Sequence, residues 1–168
     1  MQLKPVDSPE LLRLVGQWLS DRDNYQWLDF GDGRQLVSPE WLKIAVQRGT
    51  HVLRVFTSDA DDAPIGVAGF SNVNPHFKTA TYWIVLGDKT HAGHGYASRA
   101  TSRMLTLGFS ELGLNAIQTW IVEHNPSVKV AARVSFRPIG RQRQCHFIDG
   151  RAYDRLWYDL LPSEHKEI

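Results

Sequence analysis

"GDKTHAGHGYASRA", residues 87–100, follows an apolar run and leads into a helical pattern, with glycines at 93 and 95. Two glycines one residue apart are too dense for a strand interior, and their spacing predicts a turn that holds its backbone close to something. A glycine turn feeding a helix leaves unpaired N–H groups at the positive end of the helix dipole, an arrangement that accepts phosphate oxygens. A tight turn with no ligand stays open on these residues alone. Two other readings fail. The third glycine of a dinucleotide fingerprint is Ser98, several strands precede the loop, and no acidic residue stands at the required end of the next strand. A Walker A loop needs Gly-Lys-Ser/Thr, which does not follow.

Outward from the loop, Ala97, Ala100, Thr101, Met104, Leu105, Gly108, Phe109 and Leu112 recur as one helical face, and Gly113 ends it. "AIQTWIV" (116–122) shows no polar alternation, so a strand buried on both faces and parallel to its neighbour is expected. "NPSVKVAARVSF" (125–136) reads as a short helix with Pro126 in its first turn. Residues 137–161 read as two strands joined by the turn Asp149-Gly150. Before the loop, "HVLRVFTS", "IGVAGFSNV" and "FKTATYWIVLG" form an antiparallel meander, and "QLKPV" (2–6) supplies a first strand. "SPELLRLVGQWL" and "SPEWLKIAVQRG" are helices capped by Ser8 and Ser38, each with proline at the first helical position. The segment 20–37 between them is a polar loop carrying Tyr25, Trp27, Leu28 and Phe30. Those aromatics either pack on the nearest helix or wall a pocket. The expected fold is α+β: a mixed, mostly antiparallel sheet of six to seven strands with one central βαβ crossover that carries the glycine loop.

Composition narrows the function classes. The 168 residues suit one domain, 1–168, with a full core. With 19 basic against 18 acidic residues, no net field favours nucleic acid or an anionic membrane. No export signal or membrane-length apolar run is seen, and the single cysteine, Cys145, fits a reducing compartment; a cytoplasmic protein is expected. Only His91 and His94 of the seven histidines are close, so no metal site is expected.

The element order, "THAGHG", and "NPS" opening the next helix together resemble the GNAT superfamily of acetyltransferases, over about residues 2–161. Thr90 stands in the Gln/Arg slot of the family signature. "YWIVLGD…GHGYASRA" and the closing "HFIDGRAYDRLWYDLL" are similar to the branch of ribosomal-protein N-terminal acetyltransferases and small-amine acetyltransferases. The resemblance implies acetyl-CoA as cosubstrate. Its pyrophosphate would lie on the backbone of Gly93, His94, Gly95, Tyr96 and Ala97, with the Ser98 hydroxyl adding a contact. Its pantetheine arm would lie along Ile84, Val85 and Leu86, where a bulge would aim an N–H at the thioester, and Asn125 would bond the arm or cap the helix.

The chain departs from the family at the catalytic groups. The usual glutamate slot is Thr79, the usual tyrosine slot is Ala131, and the "GF" glycine is Ser135. Ser127 is therefore the candidate near the departing sulfur and Glu123 the candidate base, beside weaker ones in His124, His76 and His146. A solvated strand end also accounts for Glu123. Cys145 and His146 alternate on a strand, so only one can face the substrate; a buried structural thiol is expected for Cys145. Tyr25, Trp27 and Phe30 are the candidate acceptor contacts. The resemblance implies direct transfer to a primary amine of a small molecule such as an amino sugar, amino acid or polyamine, and a homodimer. A protein N-terminal acetyltransferase and a non-catalytic acyl-CoA-binding module are the alternatives.

Overall fold

The computed structural model describes residues 1–30 and 37–168. Seven strands form one sheet: β1 (Leu3–Pro5), β2 (Val52–Thr57), β3 (Pro64–Asn74), β4 (Thr79–Leu86), β5 (Ala116–Val122), β6 (Arg137–Ile148) and β7 (Arg151–Leu160). Their order is β1-β2-β3-β4-β5-β7-β6. Only the β4–β5 pair is parallel, and helix α4 (Tyr96–Ser110) makes the crossover between them. The expected fold class is the observed one.

Helices α1 (Pro9–Ser20) and α3 (Pro39–Gln47) open as the sequence predicts. Ser8 and Ser38 accept the backbone N–H groups of Leu11 and Trp41, and each helix has a proline in its first turn. Segment 20–37 is not all loop: Asp21 caps a single helical turn, α2 (Arg22–Tyr25). Its residues Gly31–Leu36 lie outside the described residues. The short helix α5 (Ser127–Arg133) lies between β5 and β6.

Alternation along the strands divides the apolar residues into two clusters on opposite faces of the sheet. Phe56, Ala68, Phe70, Ala80 and Tyr82 join Met104, Leu105 and Ala131 in one cluster, under α4 and α5. Leu53, Val55, Val67 and Val85 join Val15, Leu19 and Leu42 in the other, under α1 and α3. The second helical layer stops at β4. Strand β5 is therefore not buried on both faces as its composition suggests: Ile117, Thr119 and Ile121 are buried, whereas Gln118 is exposed.

The β4–β5 ladder is short. It pairs Thr79–Thr81 with Ala116–Gln118 and then ends, although both strands continue. Beyond that point β4 keeps its register with β3, Gly66 opposite Leu86 through Ser71 opposite Thr81. Strand β5 instead follows β7, Val122 opposite Arg155. The two central strands thus part company in the middle of the sheet, and the functional site is built on that parting.

Candidate active site

A cleft of about 520 Å³, open to solvent, occupies the parting. The floor is made where the ladder ends. There the Thr119 hydroxyl donates to the Tyr82 carbonyl at 2.9 Å, the last link between the two strands. Tyr82 in turn donates its hydroxyl to Thr101 Oγ1 at 2.9 Å, and Thr101 donates to the Ala97 carbonyl at 2.7 Å. Burial pushes the Tyr82 phenol well above its ordinary value, with the Thr101 hydrogen bond acting the other way. The phenol stays protonated and its proton is committed to Thr101.

Side chains from both faces of the sheet line the cleft. From the α4/α5 side come Tyr82, Ile84, Thr101, Ile121, Asn125, Ser127, Val130, Ala131 and Phe136. The opposite side supplies Trp27, Leu28, Trp83 and Trp120. A second cavity of about 310 Å³ shares Trp27, Leu28, Tyr82, Trp83 and Trp120, and adds Asp29, Phe30, Ser71 and Thr81. The two cavities adjoin through these five shared residues, and together they are the passage between β4 and β5. Phe30 meets Trp83 edge-on with ring centroids 5.2 Å apart. Trp83 itself lies on Gly69, where a Cβ would sit 2.8 Å from the indole and displace it.

The glycine loop lies at the start of α4. Gly93 and Gly95 have φ of 83° and 80°, a conformation that favours glycine. Open space surrounds the position a Cβ would take at each. Gly95 caps α4 without a side-chain bond, and the backbone N–H groups of 93–98 make no hydrogen bond among the described residues. A turn with exposed donors at the end of a 15-residue helix fits an anionic group. Ser98 is buried, with its Oγ 3.5 Å from Arg133 Nη1. Arg133 thus brings a cation beside the loop. Sequence reasoning missed it, although a basic residue in the last turn of α5 was the available signal. Thr90, in the signature's Gln/Arg slot, gives its hydroxyl to Asp88 at 2.6 Å and forms part of the preceding turn.

The remaining candidates divide. Ile84 lines the cleft, but Val85 points into the α1/α3 cluster and Leu86 packs on the α4 cluster, so these two offer only backbone. No bulge interrupts β4 at 84–86; the strand edge is exposed by the divergence from β5. Asn125 and Ser127 line the cleft together. Asn125 Oδ1 accepts the Ser127 N–H at 2.8 Å, so the amide caps α5 while its NH₂ stays unbonded among the described residues.

Glu123 is not in the lining. Its carboxylate accepts the Asp154 N–H at 3.0 Å and sits 3.4 Å from Arg141. A carboxylate so engaged fastens β5 to the hairpin and is badly placed for proton abstraction. Trp27 and Phe30 reach the passage, whereas Tyr25 does not line it. The passage also contains Trp83 and Trp120, which sequence reasoning did not assign to the acceptor. Where the ladder ends cannot be read from composition, and that end is what opens both indoles to the cleft.

The buried member of the Cys145–His146 pair is His146, at 6% exposure. Cys145 is only half-buried and its thiol faces the Gln142 carbonyl at a β6 irregularity. Arg155 donates to His146 Nδ1 from Nε at 3.2 Å. Arginine is always a donor, so Nδ1 is the acceptor and Nε2–H donates to the Gln26 carbonyl at 2.7 Å. Arg155 also stacks 3.9 Å over the Trp120 ring and pairs with Asp29 at 2.8 Å. Arg22 pairs with Asp149 at the hairpin turn. Segment 22–29 is thereby fastened to the closing hairpin at three places, its turn and both its strands.

Comparison with known proteins gives the arrangement a context. The family model described as an acetyltransferase (GNAT) domain matches residues 1–137. A Bacillus licheniformis protein named an uncharacterized N-acetyltransferase p20 is 32% identical over 62% of this chain and 58% of its own length. The chain thus spans under two thirds of that relative. A Bacillus subtilis protein named as the putative ribosomal N-acetyltransferase YdaF is 26% identical over 96% of this chain and 90% of its own. Among solved structures, a Vibrio cholerae spermidine N-acetyltransferase in complex with CoA and spermine superposes with a TM-score of 0.83. It covers 97% of this chain and 96% of that one, at 22% identity, a likeness of fold.

Proposed function

The chain belongs to the GNAT acetyltransferase family, and from that premise we propose that it transfers the acetyl group of acetyl-CoA directly to a primary amine of a small molecule. The observation that carries this reading is the passage between β4 and β5. Thr101 of α4, bonded back to the Ala97 carbonyl in the turn suited to pyrophosphate, lines it, and it adjoins an aromatic cavity suited to an acceptor. In this reading the turn at 93–98 binds the pyrophosphate, with Arg133 adding a charge-assisted contact. The pantetheine arm follows the free edge of β4 past Ile84, and the Asn125 amide donates to it. The whole chain, 1–168, acts as one cytoplasmic domain and pairs as a homodimer. The closing hairpin beyond residue 137 fixes the acceptor wall.

The amine nitrogen attacks the thioester carbonyl carbon, forming the N–C bond. The C–S bond breaks as the tetrahedral centre collapses. The nitrogen loses a proton and the departing thiolate gains one, with Ser127 as the hydroxyl nearest that role. No covalent acyl-enzyme is needed. A protein N-terminal acetyltransferase is the second reading, favoured by the Bacillus subtilis relative, and activity on peptides would separate the two.

The test is Gly95→Glu. Its carboxylate would fill the open space at Gly95 and repel the pyrophosphate at close range. Calorimetry with CoA should show binding lost in a variant that retains the parent's circular dichroism. Unchanged affinity would remove the cofactor assignment.

A further inference from the structure

We infer that the acceptor is a weakly basic primary amine on a flat apolar body, taken up as its free base, and is not a polycation. The inference rests on the acetyl transfer proposed above and deepens it. It starts from what the passage lacks. Among the described residues, the main cleft is lined by no carboxylate, histidine, lysine or arginine. Its one titratable group, the Tyr82 phenol, is held protonated by burial and bonded to Thr101. Among the described residues of the adjoining cavity, the one ionisable side chain besides Tyr82, Asp29, is paired with Arg155.

A lysine-type amine has a pKa of about 10.4, so roughly one molecule in 2,500 is neutral at pH 7. With no free base among the described residues of the site, such an amine reacts only through that fraction. An amine whose conjugate acid ionises below neutrality arrives ready to attack. A polyamine meets a second obstacle: its several charges must leave water for a wall that offers no free carboxylate among the described residues.

The walls say what the body of the acceptor is. Trp27, Trp83, Trp120 and Phe30 surround the acceptor side and present flat apolar faces. The Trp83 indole N–H is buried with no partner among the described residues.

The test compares p-anisidine, benzylamine and spermidine as acceptors for the whole protein with saturating acetyl-CoA, by CoA release and mass spectrometry of the products. At pH 7, p-anisidine should exceed spermidine in kcat/KM by at least tenfold. Its kcat/KM should be flat from pH 6.5 to 9, while that of benzylamine climbs about tenfold per unit as its free base appears. Trp120→Leu should raise the KM for p-anisidine and leave that for acetyl-CoA unchanged. Preference for spermidine, or a flat profile for benzylamine, would overturn the inference while leaving acetyl transfer intact. No transfer to any of the three, with acetyl-CoA still bound, would remove the transferase reading and this inference with it.

Discussion

Ser127 is the first residue of α5 and lines the cleft together with Asn125 and Thr101. Its backbone N–H is capped by Asn125, so the hydroxyl is not needed to start the helix. Ser127→Ala should therefore leave the melting temperature nearly unchanged and lower kcat by about 10²-fold, the scale of a lost proton donor. The KM for acetyl-CoA should stay in place, because a group used in the transition state shows in kcat. Equal kcat in the variant would assign proton delivery to water. Single residues were unevenly legible. The φ of 83° and 80° at Gly93 and Gly95 follow from two glycines ahead of a helix. Ser135 holds the left-handed conformation, φ 69°, a backbone demand that its residue type does not advertise. At Glu123 a carboxylate at a strand end looks free in the sequence, because its partners, Arg141 and the Asp154 N–H, come from other strands.

At the scale of elements, the segment 22–29 and the closing hairpin act as one wall. His146 is the hinge of that contact, receiving from Arg155 and donating to Gln26. Burial lowers the His146 pKa most, and Arg155 adds to this; the Gln26 carbonyl and Asp29 act the other way. The unfolded chain therefore takes up the proton first as pH falls, so this stabilisation is complete above the ordinary histidine value of about 6.5 and declines below it. Protonation would set Nδ1–H against the Arg155 donors. Between pH 8 and 5.5 the acceptor KM should rise and the melting temperature fall by several degrees, with the KM for acetyl-CoA steady. In His146→Gln the acceptor KM should lose that pH step; a step of the same size in the variant would place the titration elsewhere. None of this was legible in sequence. Residues 26, 29, 146 and 155 are far apart along the chain, and the alternation at Cys145–His146 established only that one of the two turns inward. Helices α1, α3 and α4 were legible because capping serines and glycine turns act locally.

Taken whole, the molecule is a sheet split down its middle. Its outer strands are antiparallel neighbours, and the meander, the closing hairpin and the single parallel crossover follow from turn signals and periodicity, whereas the seating of β7 between β5 and β6 does not. What local signals do not contain is the point where β4 follows β3 and β5 follows β7, since that depends on the twist of the entire sheet. The split has an optical consequence. Three of the six tryptophans, Trp27, Trp83 and Trp120, line it, while Trp18 lies against Gly87 and Trp157 opposes Trp120 on β7. Trp120 already carries a guanidinium over its face. Filling the passage should expel water from about half of the chain's indoles at once, so acceptor binding should blue-shift the intrinsic emission. Trp41, against Phe30 and His51, stands one ring behind that wall and should respond weakly. Titrating acceptor against emission, with Trp120→Phe as the control for the stacked indole, would read occupancy with no added label. A spectrum indifferent to acceptor at concentrations that saturate turnover would mean that the substrate stays outside the split.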